Sequence, residues 1–81
     1  MKSVVYAIQS LASGRTYIGQ TENIERRLQA HNAGKVGSTK RDLPWHLLKL
    51  QEFTSRSEAR WTERQLKASR GRRQRWLQNN E

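Results

Sequence analysis

One acidic residue lies on a helical face that should be buried. The segment after the capping-box sequence at residues 55–58 is helical in pattern, and its periodicity places Glu63 within about 100° of Ala59 and Leu66. A carboxylate there is costly to bury without a partner, and a metal cation or an arginine would relieve that cost. The alternative is that Glu63 lies at the edge of this face and pairs with Lys67 one turn later.

Arg27 and His31 form a second candidate pair, in an earlier predicted helix. Their spacing of four residues places them on one helical face, beside the apolar positions Ile24 and Leu28. We therefore expect both to lie at the rim between core and solvent, where Arg27 could bind a phosphate. The alternative is a solvated face on which the arginine packs its aliphatic stem and the histidine is satisfied by hydrogen bonds.

Tyr6 and Tyr17 lie in two neighbouring runs that are typical of β-strands. Residues 4–8 are rich in β-branched and aromatic types, and residues 15–19 follow after a turn at Gly14. Packing in the core or across the strands explains either tyrosine when it is taken alone. Their combination with the positions above is more specific than any one of them.

The elements that must position these residues follow from capping and periodicity. Thr21 is expected to cap the first helix, which ends near Gly34. A third strand then carries Leu48 and Leu50 on one face and Leu47 on the other.

A second helix runs to about Lys67 or Ala68, and a short arginine-rich helix follows Gly71. The resulting order, ββαβαα, predicts an α+β fold in which helices flank a three-stranded antiparallel sheet. With 81 residues, the chain is expected to be a single domain over residues 1–81.

The charge of the chain favours a polyanionic partner. Sixteen Lys and Arg residues face seven Asp and Glu residues, a net charge of +9, which indicates nucleic acid. An anionic membrane surface is disfavoured, since the arginine-rich stretch lacks a broad apolar face. The absence of cysteine excludes disulfides and thiolate metal sites. Without an apolar span or a secretory pattern, we expect a cytoplasmic location.

Taken together, these positions resemble the GIY-YIG nuclease superfamily. The likeness is carried by Val4-Val5-Tyr6, Tyr17-Ile18-Gly19, Arg27, His31 and Glu63. It extends from Val4 to Leu77 and is strongest to small proteins related to the N-terminal nuclease domain of the bacterial excinuclease. Two positions depart from the family: a valine replaces the glycine that names the first motif, and Gln20 stands where excinuclease domains tend to have lysine.

The resemblance implies a metal-dependent endonuclease acting on DNA. The residues implied in catalysis are Tyr6, Tyr17, Arg27, His31 and Glu63. Glu63 would also bind Mg²⁺ or Mn²⁺. A single glutamate is not too few, because Mg²⁺ often takes only one or two protein carboxylates. The metal and Arg27 are suited to hold the charge that develops on phosphoryl oxygens. A tyrosine acting as base would need such cations to lower its pKa; Tyr17 is favoured, with Tyr6 or His31 as rivals.

The resemblance also implies where nucleic acid binds. Gly19 would allow backbone or phosphate to approach closely. From the distribution of positive charge along the chain, rather than from the resemblance, we also expect phosphate contacts by Lys40, Arg41, Arg72, Arg73 and Arg75. A further polar residue of the family would correspond to Asn79 or Asn80.

Two other functions remain open. The first is a non-catalytic nucleic-acid-binding module on the same scaffold, and the second is a small basic protein that lends this fold to a partner protein. If the chain does cut both strands of DNA, one site per chain requires a homodimer or two successive events.

Overall fold

The structure, a computed structural model, describes residues 2–79, so Asn80 lies outside the described residues. The elements are β1 (Ser3–Ser10), β2 (Thr16–Thr21), α1 (Ile24–Asn32), β3 (Trp45–Phe53), α2 (Arg56–Ala68) and α3 (Arg70–Gln78). The predicted order, ββαβαα, and the predicted α+β class are confirmed. Within residues 2–79, none of the helices has the length and apolar character needed to cross a membrane.

The first strand of the chain is the middle strand of the sheet. The order is β2-β1-β3, with both neighbours antiparallel to β1. Tyr6 and Ile8 pack with Trp45 on one face of the sheet, which α1 covers through Ile24 and Leu28. Because side chains alternate along a strand, β1 is buried on both sides and supplies two separate cores.

The opposite face of the sheet is covered by the two later helices. Val5 and Ala7 of β1 pack there against Ala59 and Leu66 of α2. From α3, Trp76 adds a partly buried ring to the same cluster. The catalytic candidates on α1 and α2 are therefore carried by helices on opposite sides of one thin sheet.

The predicted facing of the leucines in β3 is wrong, because the strand contains a bulge. Leu50 pairs with Tyr6, but the register then shifts so that Leu47 pairs with Ile8. The extra residue at the bulge places Leu47 on the same face of the sheet as Leu50. In a regular strand Leu47 would lie on the opposite face.

The predicted helix boundaries need two corrections. Asn23, and not Thr21, caps α1, since its side chain accepts a hydrogen bond from the Arg26 backbone N–H. Thr21 is instead the last residue of β2. The break between α2 and α3 lies at Ser69, which has an extended backbone and caps α3 with its hydroxyl. The helix therefore begins two residues earlier than the prediction based on Gly71.

Candidate active site

Tyr6 lies at the centre of the site, with its side chain fully buried in the middle strand. Its hydroxyl oxygen lies 2.8 Å from Nε2 of His31, and Nε of Arg27 donates to it at 3.4 Å. Burial raises the pKa of Tyr6, and this effect outweighs the hydrogen bond and the positive charge of Arg27, which lower it. Tyr6 is therefore a neutral phenol near neutral pH.

Gly19 makes room for the Tyr6 ring. It lies opposite Tyr6 in the register of β1 and β2. A Cβ atom on Gly19 would lie 2.4 Å from the Tyr6 hydroxyl oxygen and 2.5 Å from the ring carbon that bears it. The close approach expected at this glycine is thus made by a phenol of the same chain, while contact with a phosphate stays a prediction.

His31 does not lie at the rim of the core, as the helical pattern predicted, but is completely buried. Its Nδ1 lies 2.8 Å from Oγ1 of Thr39, in the loop between α1 and β3. Burial lowers the pKa of His31, and the charge of Arg27 lowers it further, so the imidazole is neutral. The loop closes over the end of α1, which helical periodicity cannot show.

Thr39 is a buried polar residue that sequence reasoning missed. It lies in a basic, polar segment in which nothing distinguishes it from its exposed neighbours. No signal in the sequence pointed to it, because the helical pattern placed His31 at the rim, where water can satisfy its second ring nitrogen.

Tyr17 keeps part of its surface exposed at the edge strand β2. Its ring packs edge-on against His31 with centroids 5.1 Å apart, and against Trp45 at 6.5 Å. The ammonium group of Lys67 lies 5.5 Å from the centre of the Tyr17 ring. Tyr17 therefore lies between the buried histidine of α1 and a cation from α2.

Glu63 lies at the edge of its helical face and pairs with Lys67, as one of the two interpretations expected. The Glu63 carboxylate oxygen is 3.0 Å from the lysine nitrogen, and the side chain is 24% exposed. Its negative charge contributes to the raised pKa of Tyr6, which ties it electrostatically to the tyrosine site. Lys67, which pairs with Glu63, also lies over the Tyr17 ring, so Glu63 is linked to the tyrosine site from the opposite layer.

Glu63 offers a hard cation a single carboxylate, so an ion bound there would keep much of its water. Within residues 2–79, no three His, Cys, Asp or Glu side chains cluster as a metal site. Carboxylate oxygen is the kind of donor that Mg²⁺ and Mn²⁺ prefer. An ion held by Glu63 would have to displace Lys67 from the carboxylate.

The basic residues predicted to bind nucleic acid lie in the loop after α1 and along α3. Lys40 and Arg41 are exposed in the loop after α1. Arg73 lines a cleft between the start of β2 and α3, and it also donates to the carbonyl oxygen of Leu66 in α2. Arg72 donates to Gln65 of α2, and Arg75 is exposed. The full set of cleft residues is Arg15, Thr16, Arg70, Arg73, Gln74 and Leu77.

Comparisons with known proteins identify the family of the chain. A family model described as the GIY-YIG catalytic domain matches residues 2–76. A protein of Streptococcus pneumoniae named UPF0213 protein is 39% identical over 67 residues, which cover 82% of this chain and 67% of that protein. A UPF0213 protein of Syntrophus aciditrophicus is 42% identical over 69 residues, which cover 82% and 77%.

A solved structure is similar as well. The solution NMR structure of a UPF0213 protein from Bacillus halodurans matches with a TM-score of 0.61 at 29% identity. The match covers 95% of this chain and 83% of that one.

Proposed function

The chain belongs to the GIY-YIG family, and on that basis we propose that it is a divalent-metal-dependent endonuclease that hydrolyses phosphodiester bonds in DNA. The observation that carries the proposal is the cluster of Tyr6, Tyr17, Arg27 and His31, joined by hydrogen bonds and ring contacts and approached by Glu63 from α2. A basic fold needs no such cluster merely to bind phosphates.

Arg27 is the proposed phosphate-binding residue of the site. Tyr6 accepts from Nε of its guanidinium, which leaves the terminal Nη groups available as donors. A guanidinium held in this way can donate two hydrogen bonds to phosphoryl oxygens, where charge develops during hydrolysis.

Tyr17 is the proposed general base. Its two rivals, Tyr6 and His31, are fully buried and already hydrogen-bonded to each other. A base must come within hydrogen-bond reach of the attacking water, and of the three only Tyr17 retains exposed surface. Acting as the phenolate, the Tyr17 oxygen would take the proton that the water loses as it attacks phosphorus, and would end as the neutral phenol.

Glu63 is the proposed ligand of Mg²⁺ or Mn²⁺, with water and substrate oxygens completing the coordination. When bound, the ion would act as a Lewis acid on the scissile phosphate. Lys67, released from Glu63, would still place a positive charge beside the Tyr17 ring.

One observation favours the alternative of a non-catalytic nucleic-acid-binding module. The Glu63 carboxylate is already neutralised by Lys67, so the site is electrostatically stable without a metal. In that case Arg27 and the other basic residues would hold phosphates and the tyrosines would only pack.

Cleavage of supercoiled plasmid, branched DNA and single strands separates the two functions. With Mg²⁺ or Mn²⁺ we expect nicking, and with a chelator none. Glu63→Gln preserves shape but removes the charge, so cleavage should fall to background while DNA binding persists. The matched control is Glu58→Gln, at an exposed position in the first turn of the same helix.

Cleavage by the Glu63→Gln protein at the rate of the unaltered protein would refute the metal assignment. A protein that binds DNA but cleaves no substrate with either metal would establish the binding module instead.

A further inference from the structure

We propose that Thr39 is a positioning residue: it holds His31 in the tautomer with hydrogen on Nδ1, and so keeps the Tyr6 oxygen available to Arg27. The proposal deepens the proposed function and depends on it for the role of Arg27 at the phosphate. It starts from a line of buried hydrogen bonds that runs from the loop after α1 to the guanidinium.

The direction of this line is set at its Arg27 end. A guanidinium has only donors, so the Tyr6 oxygen accepts from Arg27. The Tyr6 hydroxyl hydrogen must then be donated elsewhere, and Nε2 of His31 is 2.8 Å away. A neutral imidazole that accepts at Nε2 carries its hydrogen on Nδ1.

The other end of the line agrees with this direction. Nδ1 of His31 lies 2.8 Å from Oγ1 of Thr39, which therefore accepts. The hydroxyl of Thr39 directs its own hydrogen to the carbonyl oxygen of Val36, 3.3 Å away. Each hydroxyl in the line thus donates once and accepts at least once.

The reverse direction leaves one group unsatisfied. If Thr39 donated to Nδ1, the hydrogen on Nε2 would point at the Tyr6 oxygen, which already accepts from Arg27. The Tyr6 hydroxyl hydrogen would then have no acceptor among the described residues, although Tyr6 and His31 are both 0% exposed. Burying an unpaired donor is unfavourable, so the first direction is preferred.

Thr39 is itself held firmly. Its backbone N–H donates to Val36, and the indole N–H of Trp45 donates to its carbonyl oxygen at 2.9 Å. The side chain of Asn32, the last residue of α1, exchanges two hydrogen bonds with the backbone of Trp45. The loop, the end of α1 and the start of β3 therefore fix the Thr39 hydroxyl relative to His31.

The consequence concerns Arg27. Without the Thr39 hydroxyl, the hydrogen on Nδ1 would lose its acceptor, so either tautomer would leave one buried donor unpaired and the form with hydrogen on Nε2 would become populated. That hydrogen would be donated to the Tyr6 oxygen in competition with Nε of Arg27. The guanidinium would lose the hydrogen bond that orients it towards the substrate.

The test is nitrogen-15 NMR of the His31 imidazole, since the two tautomers differ in which ring nitrogen carries hydrogen. His46→Gln, used as the background, removes the other histidine and leaves a single imidazole to observe. We expect Nδ1–H in this protein, Nε2–H or a mixture after Thr39→Val, and Nδ1–H again in Thr39→Ser. Valine matches the shape of threonine, and serine restores the hydroxyl.

Single-turnover cleavage in Mg²⁺ gives the second measurement. Thr39→Val should slow the chemical step by about tenfold or more, comparable to losing an orienting partner of a ligating histidine. DNA affinity should change little, and Thr39→Ser should recover the rate.

If His31 carries its hydrogen on Nε2 in the protein that keeps Thr39, the proposal is wrong. This outcome does not depend on whether any Thr39 variant folds. An Nδ1–H imidazole that persists in Thr39→Val would also overturn the proposal. If the tautomers are as expected but the protein cleaves no DNA, the proposed nuclease function is wrong, whereas the role of Thr39 in setting the His31 tautomer is supported.

Discussion

Tyr6 combines two requirements that are seldom met by one side chain: it fills the core beneath α1, and its oxygen holds Arg27. The ring cannot shift easily, because its hydroxyl end is surrounded by His31, Arg27 and the backbone of Gly19. The glycine opposite it should therefore be sensitive to even one added methyl group.

Gly19→Ala is expected to destabilise the protein by ~1–3 kcal/mol, the usual cost of overpacking a tight core. It should also reduce cleavage, since the Tyr6 hydroxyl that holds Arg27 has to shift. Gly37→Ala is the control, because a Cβ there meets nothing within 4 Å. Urea denaturation and a nicking assay measure both effects. Equal stability of the two variants would show that the Tyr6 ring can move.

Arg27 and its neighbour Arg26 give a matched comparison on one helix. Arg27 contacts Tyr6, whereas Arg26 is exposed and lines a separate polar groove with Arg56. Arg27→Ala should slow the chemical step by about 10²-fold or more, as loss of a group that stabilises transition-state charge does. Arg26→Ala should mainly weaken DNA binding. Rapid-quench kinetics at saturating DNA distinguish these effects, and similar modest losses in both would mean that α1 is merely a basic face.

Residue types and spacing placed Tyr6, Tyr17, Arg27 and Glu63 on their strands and helices, because each lies within a regular element whose period can be read, but only the family resemblance joined the four as a set. Residue types and spacing could not show that His31 is buried, since its cover comes from Thr39, eight residues away in an irregular loop. Contacts made by loops leave no periodic trace in a sequence.

At the scale of elements, α3 separates two pairs of arginines. Arg70 and Arg73 line the cleft beside the start of β2, a cleft that contains no acidic side chain among the described residues. Arg72 and Arg75, predicted phosphate ligands together with Arg73, lie outside it. The cleft pair is therefore the better candidate to follow a DNA strand.

Replacing Arg70 and Arg73 with glutamine should flatten the dependence of log affinity on log salt by about 0.9 for each phosphate of duplex DNA that is no longer neutralised. Replacing Arg72 and Arg75 removes the same charge and should flatten it less. Binding is titrated with salt in Ca²⁺, expected to support binding with little cleavage, and circular dichroism checks that α3 persists. Equal slopes in the two double variants would place the DNA surface elsewhere, as on the loop of Lys40 and Arg41.

Element order was predictable because strand and helix periods differ, but two details depended on contacts that periodicity does not show. The bulge in β3, which realigns Leu47, is a property of its register with β1. The boundary at Ser69 reflects a side-chain cap that competed with the nearby Gly71 as a stop signal.

At the scale of the whole molecule, the buried pair of Tyr6 and His31 predicts how stability depends on pH. The pKa of His31 is lowered in the native state, so below about pH 6.5 the unfolded chain takes up a proton that the folded chain does not. The free energy of unfolding should fall as the pH drops from there. The raised pKa of Tyr6 predicts a second loss of stability above about pH 10.

Urea denaturation between pH 5 and 7.5 measures the acidic effect. His31→Gln should reduce the dependence, even if the variant is less stable throughout, whereas His46→Gln should retain it. An unchanged dependence in His31→Gln would assign the acid sensitivity to other groups.

The sheet order has a consequence for synthesis on the ribosome. β1 and β2 can pair as soon as both have emerged, but β1 also needs β3, which ends at Phe53. Until then, the nascent hairpin presents the far edge of its most apolar strand without a partner, and neither helix that covers Val5 and Ala7 has been made. Open apolar edges promote association between chains. This interval, rather than the finished protein, is when the chain is most exposed to aggregation and to capture by chaperones.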